Sequence, residues 1–392
     1  MKYDFDVVYD RKNTNSVKHD GHLHYGKPPE LVPLWVADMD FKAPVEVIEA
    51  LVRCAKHGIF GYSEPSESYF DAVRSWFSES FGYHSEREWM VKAPGVVFAA
   101  AVALRAFTND GAAVMIQRPV YHPFSHIILN NNRKLVNNPL VYEEGRYRVD
   151  FADFERKIVE NSVKAFILCS PHNPVGRVWR RDELEMMGDI CLKHNCVVLS
   201  DEIHCDFVFA PHRHCVFSTI KQEFADNSII MTAPSKTFNL PGLQASNIFI
   251  SNPRLRKMFV DEYNRSGYSQ LNTMGLAACE AAYSHGREWL NQLLDYLSDN
   301  MKLVYDFGIR TGIRPVPLDG TYLAWLDFSP LGLSADALED LIAGKAGLWL
   351  SGGTIFGKDE GAGFQRVNIA SPRSILENAL ERLEKAIIDI RH

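Results

Sequence analysis

The sequence predicts an α/β fold in which a mostly parallel central sheet carries helices on both faces and a smaller α+β domain is attached. Short apolar segments alternate with longer amphipathic segments along the chain, which is the pattern of parallel β/α units. The chain has 392 residues, of which 46% are hydrophobic and 23% charged, enough for one large core and an appended domain. We expect a large domain over 45–285 and a small domain formed by 1–44 together with 286–392.

Five apolar segments are the candidate strands of the central sheet. In chain order they are Ala113–Gln117, Ala165–Cys169, Cys196–Leu199, Ser228–Met231 and Asn247–Ile250. Apolar residues at helical spacing predict a crossover helix over Arg181–His194. Later in the chain, Thr321–Asp327 is predicted to be a strand and Ile375–Ile390 an amphipathic helix, and we assign both to the small domain.

Charge and hydropathy exclude several classes of partner. The formal net charge is -7 and no block of lysine and arginine occurs, so we expect no nucleic-acid partner. The longest apolar stretch, Ala93–Leu104, is interrupted by Pro94 and Gly95 and is too short to cross a membrane. The first residues lack the apolar core of a secretion signal, and the seven cysteines are scattered, which is typical of reduced thiols. We therefore expect a cytoplasmic protein.

One local cluster contains side chains of the types that bind metals. Its members are His204, Cys205, Asp206, His212, His214 and Cys215. Their spacing matches neither paired C-x-x-C knuckles nor an H-E-x-x-H helix. We favour ordinary buried or surface polar residues here over a structural zinc ion, and we predict no metal site.

Lys236 is the most informative residue of the chain. It follows the apolar strand candidate Ser228–Met231 and lies within the small-residue loop 232–242. A lysine amine that is partly desolvated is less often protonated at neutral pH, and such an amine can anchor an aldehyde cofactor covalently. Taken alone, the residue is better described as a solvated loop lysine, because most lysines are exposed; the residues around it favour the cofactor role.

Other polar residues occupy equivalent positions after the neighbouring strands. Tyr121, Asn173, Asp201 and Ser235 each follow a candidate strand, as Lys236 does. Open parallel sheets bind ligands beyond the carboxyl ends of their strands. We therefore expect these residues to line one crevice.

Each of these residue types suits one part of a pyridine cofactor. A carboxylate at Asp201 would keep a ring nitrogen protonated, Asn173 would donate to a phenolic oxygen, and Tyr121 would stack on the ring. Each also has a structural interpretation: Asp201 as a helix N-cap, Asn173 with Pro174 as a turn, and Tyr121 as part of the core.

A phosphate group and a substrate carboxylate also have candidate partners. Pro94 and Gly95 precede a helical run, so the main-chain amides of Val96 and Val97 are placed to donate to a phosphate. The hydroxyls of Thr232 and Ser235 lie next to Lys236 in sequence. Arg373 carries a planar guanidinium suited to an amino-acid carboxylate, although a surface role is equally compatible with its position.

Seven motifs in order give the chain a resemblance to a known family. They are Pro33–Phe41, Gly61–Pro65, Pro119–Tyr121, Ser170–Gly176, Ser200–His204, Ala233–Gln244 and Asn368–Arg373. These residues resemble those of the pyridoxal-phosphate enzymes of fold type I, the aspartate aminotransferase-like fold. Within that fold they are most similar to the MalY/PatB cystathionine β-lyase group.

The resemblance implies a cofactor, pyridoxal 5'-phosphate, and a role for each matched residue. Lys236 would bind the cofactor covalently and act in catalysis with Tyr121, which would also stack on the ring. Arg373 would bind the substrate carboxylate, with Ala37 beside the substrate. Tyr62 would reach the phosphate of the neighbouring subunit, which implies a homodimer with shared sites.

Two departures from typical aminotransferases bear on the reaction. This chain has His204 where they carry a tyrosine, so we place His204 at the cofactor, and it has Gln244 where they carry an arginine. Both features favour a lyase, which would cleave L-cystathionine or a related S-conjugate to a thiol, pyruvate and ammonia. The alternatives are an aminotransferase acting on an amino acid and a regulatory binding protein with incidental lyase activity.

Overall fold

A computed structural model describes residues 3–391 of the chain. Its strands are β1 Val32–Pro33, β2 Met90–Ala93, β3 Ala113–Ile116, β4 Lys134–Asn137, β5 Val141–Glu143, β6 Arg146–Arg148, β7 Ala165–Cys169, β8 Val197–Asp201, β9 Ser228–Thr232, β10 Ser246–Phe249, β11 Arg314–Pro315, β12 Leu323–Asp327, β13 Leu348–Trp349, β14 Ser351–Gly352 and β15 Phe364–Asn368.

The α-helices are α1 Val17–Asp20, α2 His22–Tyr25, α3 Val45–His57, α4 Glu67–Phe81, α5 Val96–Phe107, α6 Pro123–Asn130, α7 Phe151–Asn161, α8 Arg181–Lys193, α9 Gln222–Asp226, α10 Pro234–Thr237, α11 Pro253–Arg265, α12 Thr273–His285, α13 Arg287–Thr311, α14 Ala335–Glu339 and α15 Arg373–Arg391. Among residues 3–391, no helix has the length and apolar content needed to cross a membrane.

The central sheet has seven strands in the order β2-β10-β9-β8-β7-β3-β4. Strands β4, β3, β7, β8 and β9 are parallel to one another, whereas β10 is antiparallel to both of its neighbours, β9 and β2. Strand β2 therefore runs in the same direction as β9. As a result, the carboxyl ends of β2, β3, β7, β8 and β9 all lie at one edge of the sheet, where a ligand site is expected.

The central strands are buried on both faces. All five residues of β7 and all five of β9 are buried, as expected for strands covered by helices on each side. Helix α5 is one of these covers, and its alanines and valines at 99, 100, 102 and 103 are fully buried. Close packing of this helix fixes the position of its first turn at the ligand edge.

A second sheet has four antiparallel strands in the order β11-β12-β15-β14. Strand β1 pairs in parallel with β13, and this pairing joins the start of the chain to its last third. The strand and helix predictions hold to within about two residues. The edge strands β2 and β4 were not predicted, because each is short and carries an exposed or half-buried lysine. The domain division at 44/45 and 285/286 stays a prediction.

Candidate active site

The structure brings Lys236, Asp201, Asn173 and Tyr121 to the same edge of the central sheet. Asp201 is the last residue of β8, and Lys236 lies in α10, which directly follows β9. Asn173 and Tyr121 lie in the loops after β7 and β3, and the main-chain N–H of Tyr121 donates to the carbonyl of Asn173 at 3.0 Å. These four residues therefore lie at the sheet edge where the crevice is predicted.

The Lys236 amine is buried and aimed at a single carbonyl. Its Nζ donates to the main-chain oxygen of Ala37 at 2.7 Å. Burial lowers the pKa of Lys236 to about 8, and the charge of Arg366 acts in the same direction. The carboxylates of Asp38 and Asp201 act in the opposite direction. A substantial part of the lysine population is therefore neutral near physiological pH, as a nucleophilic amine requires.

Asp201 is a buried carboxylate. Burial raises its pKa to about 7, although the N–H of Ile203 and the charge of Lys236 favour its ionised form, and Glu202 disfavours it. The Ile203 N–H donates to Oδ1 at 3.1 Å. A carboxylate in this state would be stabilised by a cationic ring nitrogen, because the opposite charge replaces the water that burial removed.

Arg366 lies in β15 of the second sheet and contacts Asn173, one of the four residues at the edge of the central sheet. Its Nη1 donates to the Asn173 side-chain oxygen at 3.0 Å, and its Nη2 donates to the carbonyl of Trp35 at 2.8 Å. The side chain is buried, and burial lowers its pKa to about 10. Because Asn173 uses Oδ1 to accept from Arg366, the donor end of its amide is turned away from the guanidinium and remains suited to a cofactor oxygen.

The structure places Arg373, the predicted carboxylate-binding residue, against Asp299 and Tyr296. This residue begins α15, where its guanidinium lies 3.5 Å from the Asp299 carboxylate and over the ring of Tyr296, with its side chain 36% exposed. Arg366, two residues before the motif Asn368–Arg373, is the arginine that contacts Asn173. It is buried within β15, whereas Arg373 lies beyond the end of that strand, at the start of α15.

The phosphate-binding prediction is supported at the helix and weakened at Thr232. Helix α5 begins at Val96, directly after the Gly95 N-cap, so the amides of Val96 and Val97 belong to its unpaired first turn. The Thr232 hydroxyl instead donates to the carbonyl of Asn247 at 2.8 Å. Because a hydroxyl has one proton, Thr232 is not a phosphate donor in this arrangement. Ser235 is half-buried in the first turn of α10.

His204 and Ala37 complete the wall of the crevice. Burial lowers the pKa of His204, and the positive charges of Lys236 and Arg366 lower it further, so its ring is neutral. Its Nδ1 has no hydrogen-bond partner among residues 3–391. The Ala37 carbonyl also accepts from the hydroxyl of Tyr322 at 3.0 Å. Tyr322 was not predicted, because one more aromatic residue in an apolar strand gives no separate signal.

Tyr62 lies on the surface. Its side chain is 98% exposed, and Ile59 and Phe60 beside it are also exposed. Three of the six metal-type residues have other partners: His214 pairs with Glu202, His212 with Asp319, and Asp206 accepts from Trp76 and Thr237. Among the described residues, no group of three or more histidines, cysteines and carboxylates could hold a metal ion.

Comparison with known proteins agrees with this geometry. The aminotransferase class I and II family matches residues 29–383. The cystathionine β-lyase PatB of Bacillus subtilis is 41% identical over 98% of this chain and 99% of its own length, and the protein MalY of Escherichia coli is 32% identical over 99% and 100%.

Solved structures show the same similarity. Cystalysin from Treponema denticola, whose crystal structure contains pyridoxal 5'-phosphate, superposes with a TM-score of 0.96 at 39% identity, covering 100% of both chains. The PLP-bound C-S lyase from Staphylococcus hominis superposes with a TM-score of 0.92 at 30% identity, again covering 100% of both. These matches confirm the predicted aspartate aminotransferase-like fold and the resemblance to MalY and PatB. This chain belongs to the aminotransferase class I and II family, within which it is similar over its full length to cystathionine β-lyases.

Proposed function

We propose that this protein is a pyridoxal-phosphate-dependent carbon–sulfur β-lyase. Its substrate would be L-cystathionine or a related S-conjugate of cysteine, and its products a thiol, pyruvate and ammonia. The observation that carries the proposal is the buried Lys236 amine, held near Asp201 and Arg366 at the carboxyl edge of the sheet. The full-length similarity to the cystathionine β-lyase PatB and to the C-S lyase from Staphylococcus hominis favours a lyase among the reactions of this fold.

The residues present fit the cofactor. The lowered pKa of Lys236 provides a partly neutral amine for an aldehyde, the raised pKa of Asp201 suits a cationic ring nitrogen, and the first turn of α5 offers amides to a phosphate. Tyr121 lies beside Asn173 and is half-buried, as a ring-stacking residue should be. When bound, pyridoxal phosphate supplies an electron-withdrawing ring that stabilises negative charge at the substrate Cα.

The chain's own residues divide the remaining work. Arg366 binds the substrate carboxylate through its guanidinium and so fixes the Cα–H bond relative to Lys236. The Lys236 amine takes the Cα proton at Nζ. The Cβ–S bond then breaks, its electron pair leaves with the sulfur as a thiolate, and the remaining three-carbon enamine is hydrolysed to pyruvate and ammonia. No redox partner is needed.

The direct test is an assay without any keto acid. The purified protein with pyridoxal phosphate should release pyruvate and a free thiol in equal amounts from L-cystathionine. Lys236→Ala should lose this activity and the absorbance of the bound cofactor. Conversion of an added keto acid to its amino acid, with no pyruvate or thiol released, would instead favour an aminotransferase, the broader activity of the family.

We also propose that the enzyme is a cytoplasmic homodimer in which Tyr62 serves the neighbouring site. The exposed side chains of Ile59, Phe60 and Tyr62 support this, since adjacent exposed apolar residues mark protein interfaces. The seven cysteines are all free thiols in the structure, which fits a reducing compartment. Sedimentation of the purified protein tests the dimer directly.

A further inference from the structure

The segment 36–41, here termed the strap, forms one wall of the active site. Its Ala37 carbonyl accepts from both the Lys236 amine at 2.7 Å and the Tyr322 hydroxyl at 3.0 Å. The hydrogen bond that the lysine amine donates therefore depends on the position of the strap. What places the strap also places the lysine.

Two asparagines hold the strap backbone. Asn239 accepts from the N–H of Met39 and donates to the carbonyls of Met39 and Phe41, at 2.8–3.0 Å. Asn368 donates to the carbonyls of Val36 and Asp38 at 2.7 and 2.6 Å. These neutral bonds account for the main-chain path of the strap and require no charge.

A cluster of charges nevertheless lies on the strap. Arg11 pairs with Asp38 at 2.7 Å and with Asp40 at 2.8 Å. Lys18, whose side chain is fully buried, pairs with Asp40 at 2.6 Å, and His19 lies 3.1 Å from the same carboxylate. Burying charged groups costs several kcal/mol even when they are paired. Asn239 and Asn368 already fix the strap backbone, so holding the backbone in place does not explain this cost.

The two carboxylates differ in what surrounds them. Asp40 is enclosed by Arg11, Lys18, His19 and Ser371, and is thereby a structural anchor. Within residues 3–391, the Asp38 carboxylate accepts hydrogen bonds only from Arg11, and Asp38 lines a cavity of about 690 Å³ together with Arg11 and Lys236. Asp38 is thus the strap carboxylate whose charge reaches the catalytic amine.

Three further groups face Lys236 from other elements. Arg366 approaches from β15, Asp201 from the end of β8, and the neutral ring of His204 from the turn after β8. The positive and negative charges of Arg366 and Asp201 oppose each other. The negative charge of Asp38 is partly offset by its ion pair with Arg11. The electrostatic effect of Asp38 on the Lys236 amine therefore depends on Arg11.

We propose that Arg11 and Asp38 are positioning residues that together set the protonation of Lys236. Asp38 supplies negative charge near the amine, and Arg11 fixes that carboxylate and attenuates its field. Residues near the N-terminus thereby help to position a catalytic group. Arg11 is 27 residues before Asp38 in sequence, and the chain between them folds back so that the two side chains meet. The inference deepens the proposed role of Lys236, but its test needs neither cofactor nor turnover.

Two charge-removing variants should shift the lysine in opposite directions. Asp38→Asn removes the charge that favours the ammonium form, so the pKa of Lys236 should fall. Arg11→Gln leaves the Asp38 carboxylate without its counter-ion, so the pKa should rise. A merely structural role predicts the same direction for both, because a loosened strap admits water and returns the lysine toward its ordinary pKa.

The measurement is the pH dependence of Lys236 acylation in cofactor-free protein, followed by acetic anhydride labelling and peptide mass spectrometry. The wild-type midpoint is expected near pH 8, as burial dictates. Asp38→Asn should lower it, and Arg11→Gln should raise it, each by about half a unit to one unit. Arg11→Lys, which keeps the charge, should remain at the wild-type midpoint.

The control variant is Arg105→Gln, which breaks the ion pair of Arg105 with Glu262 and should leave the midpoint unchanged. An unchanged or raised midpoint in Asp38→Asn, or equal shifts in both variants, would overturn the proposal. If Arg11→Gln does not fold, Asp38→Asn and Arg11→Lys still decide it. Absence of lyase activity in the wild-type protein would refute the proposed function and leave this result standing.

Discussion

Arg366 Nη1 donates a 3.0 Å hydrogen bond to Asn173 Oδ1, and this bond joins strand β15 of the four-stranded sheet to the loop after β7 of the seven-stranded sheet. The two residues are 193 positions apart in sequence. The Arg366 guanidinium and the Asn173 amide are therefore oriented by each other, and they meet only when the two sheets are packed together.

The first prediction separates the two candidate arginines. Arg366→Ala should lower kcat/KM for L-cystathionine about 100-fold, because a buried charge-assisted contact to a carboxylate contributes about 3 kcal/mol. Arg373→Ala is the matched control and should change kcat/KM less than about threefold, since its partner is a surface carboxylate. A larger loss in Arg373→Ala than in Arg366→Ala would restore the sequence-based assignment.

The second prediction concerns the pH dependence of stability in the cofactor-free protein. The pKa of Asp201 is raised to about 7 in the folded state, so its contribution to stability is present at low pH and is lost as the pH rises from about 4 to 7. Asp201→Asn removes this loss. At pH 8 the cofactor-free variant should be more stable than the wild type, by at most about 4 kcal/mol.

Thermal unfolding of the two cofactor-free proteins at pH 4 and pH 8 measures this difference. The variant should gain on the wild type only at the higher pH, and it should bind pyridoxal phosphate more weakly because the ring nitrogen loses its counter-charge. A variant that is less stable than the wild type at pH 8 would show that Asp201 is stabilised by its surroundings.

The third prediction tests the shared site by complementation. Tyr62→Ala and Lys236→Ala should each be impaired as homodimers. When the two are unfolded together and refolded, hybrid dimers contain one site with both native residues if Tyr62 acts across the interface. Activity should then recover to roughly a quarter of the wild-type value for random pairing of two subunits. No recovery would place Tyr62 in the site of its own subunit.

The fourth prediction concerns the buried charge of Lys18. Asp40→Asn leaves this fully buried lysine without its closest counter-ion, and should destabilise the protein by about 3–5 kcal/mol. Replacing both residues, as Lys18→Met with Asp40→Asn, removes the unpaired charge and should recover most of the loss. Unfolding by urea, monitored by tryptophan fluorescence, compares the two variants. Equal stability of both would show that the ion pair is not what Lys18 contributes.

The sequence was sufficient for the residues that follow strands. Lys236, Asp201, Asn173 and Tyr121 each come after an apolar segment, and parallel strands place such positions at one edge. The helix start at Val96 was also predictable from Gly95 and the apolar run behind it. These features depend on short stretches of consecutive residues, so the sequence alone is enough to predict them.

Three features needed the tertiary structure. Arg366 rather than Arg373 faces Asn173, Thr232 directs its hydroxyl to Asn247, and the strap with Arg11 and Asp38 lies over Lys236. None has a signal in its own neighbourhood, because each depends on which side chains a distant segment presents. The sequence by itself determined five strands of the central sheet, the lysine and the residues at the strand ends, since periodicity and turn chemistry act over a few residues. The arginine, hydroxyl and carboxylate that face the site were decided only by the packing of the two sheets and by the folded-back N-terminal segment. The physical reason is that burial and charge pairing depend on neighbours in space.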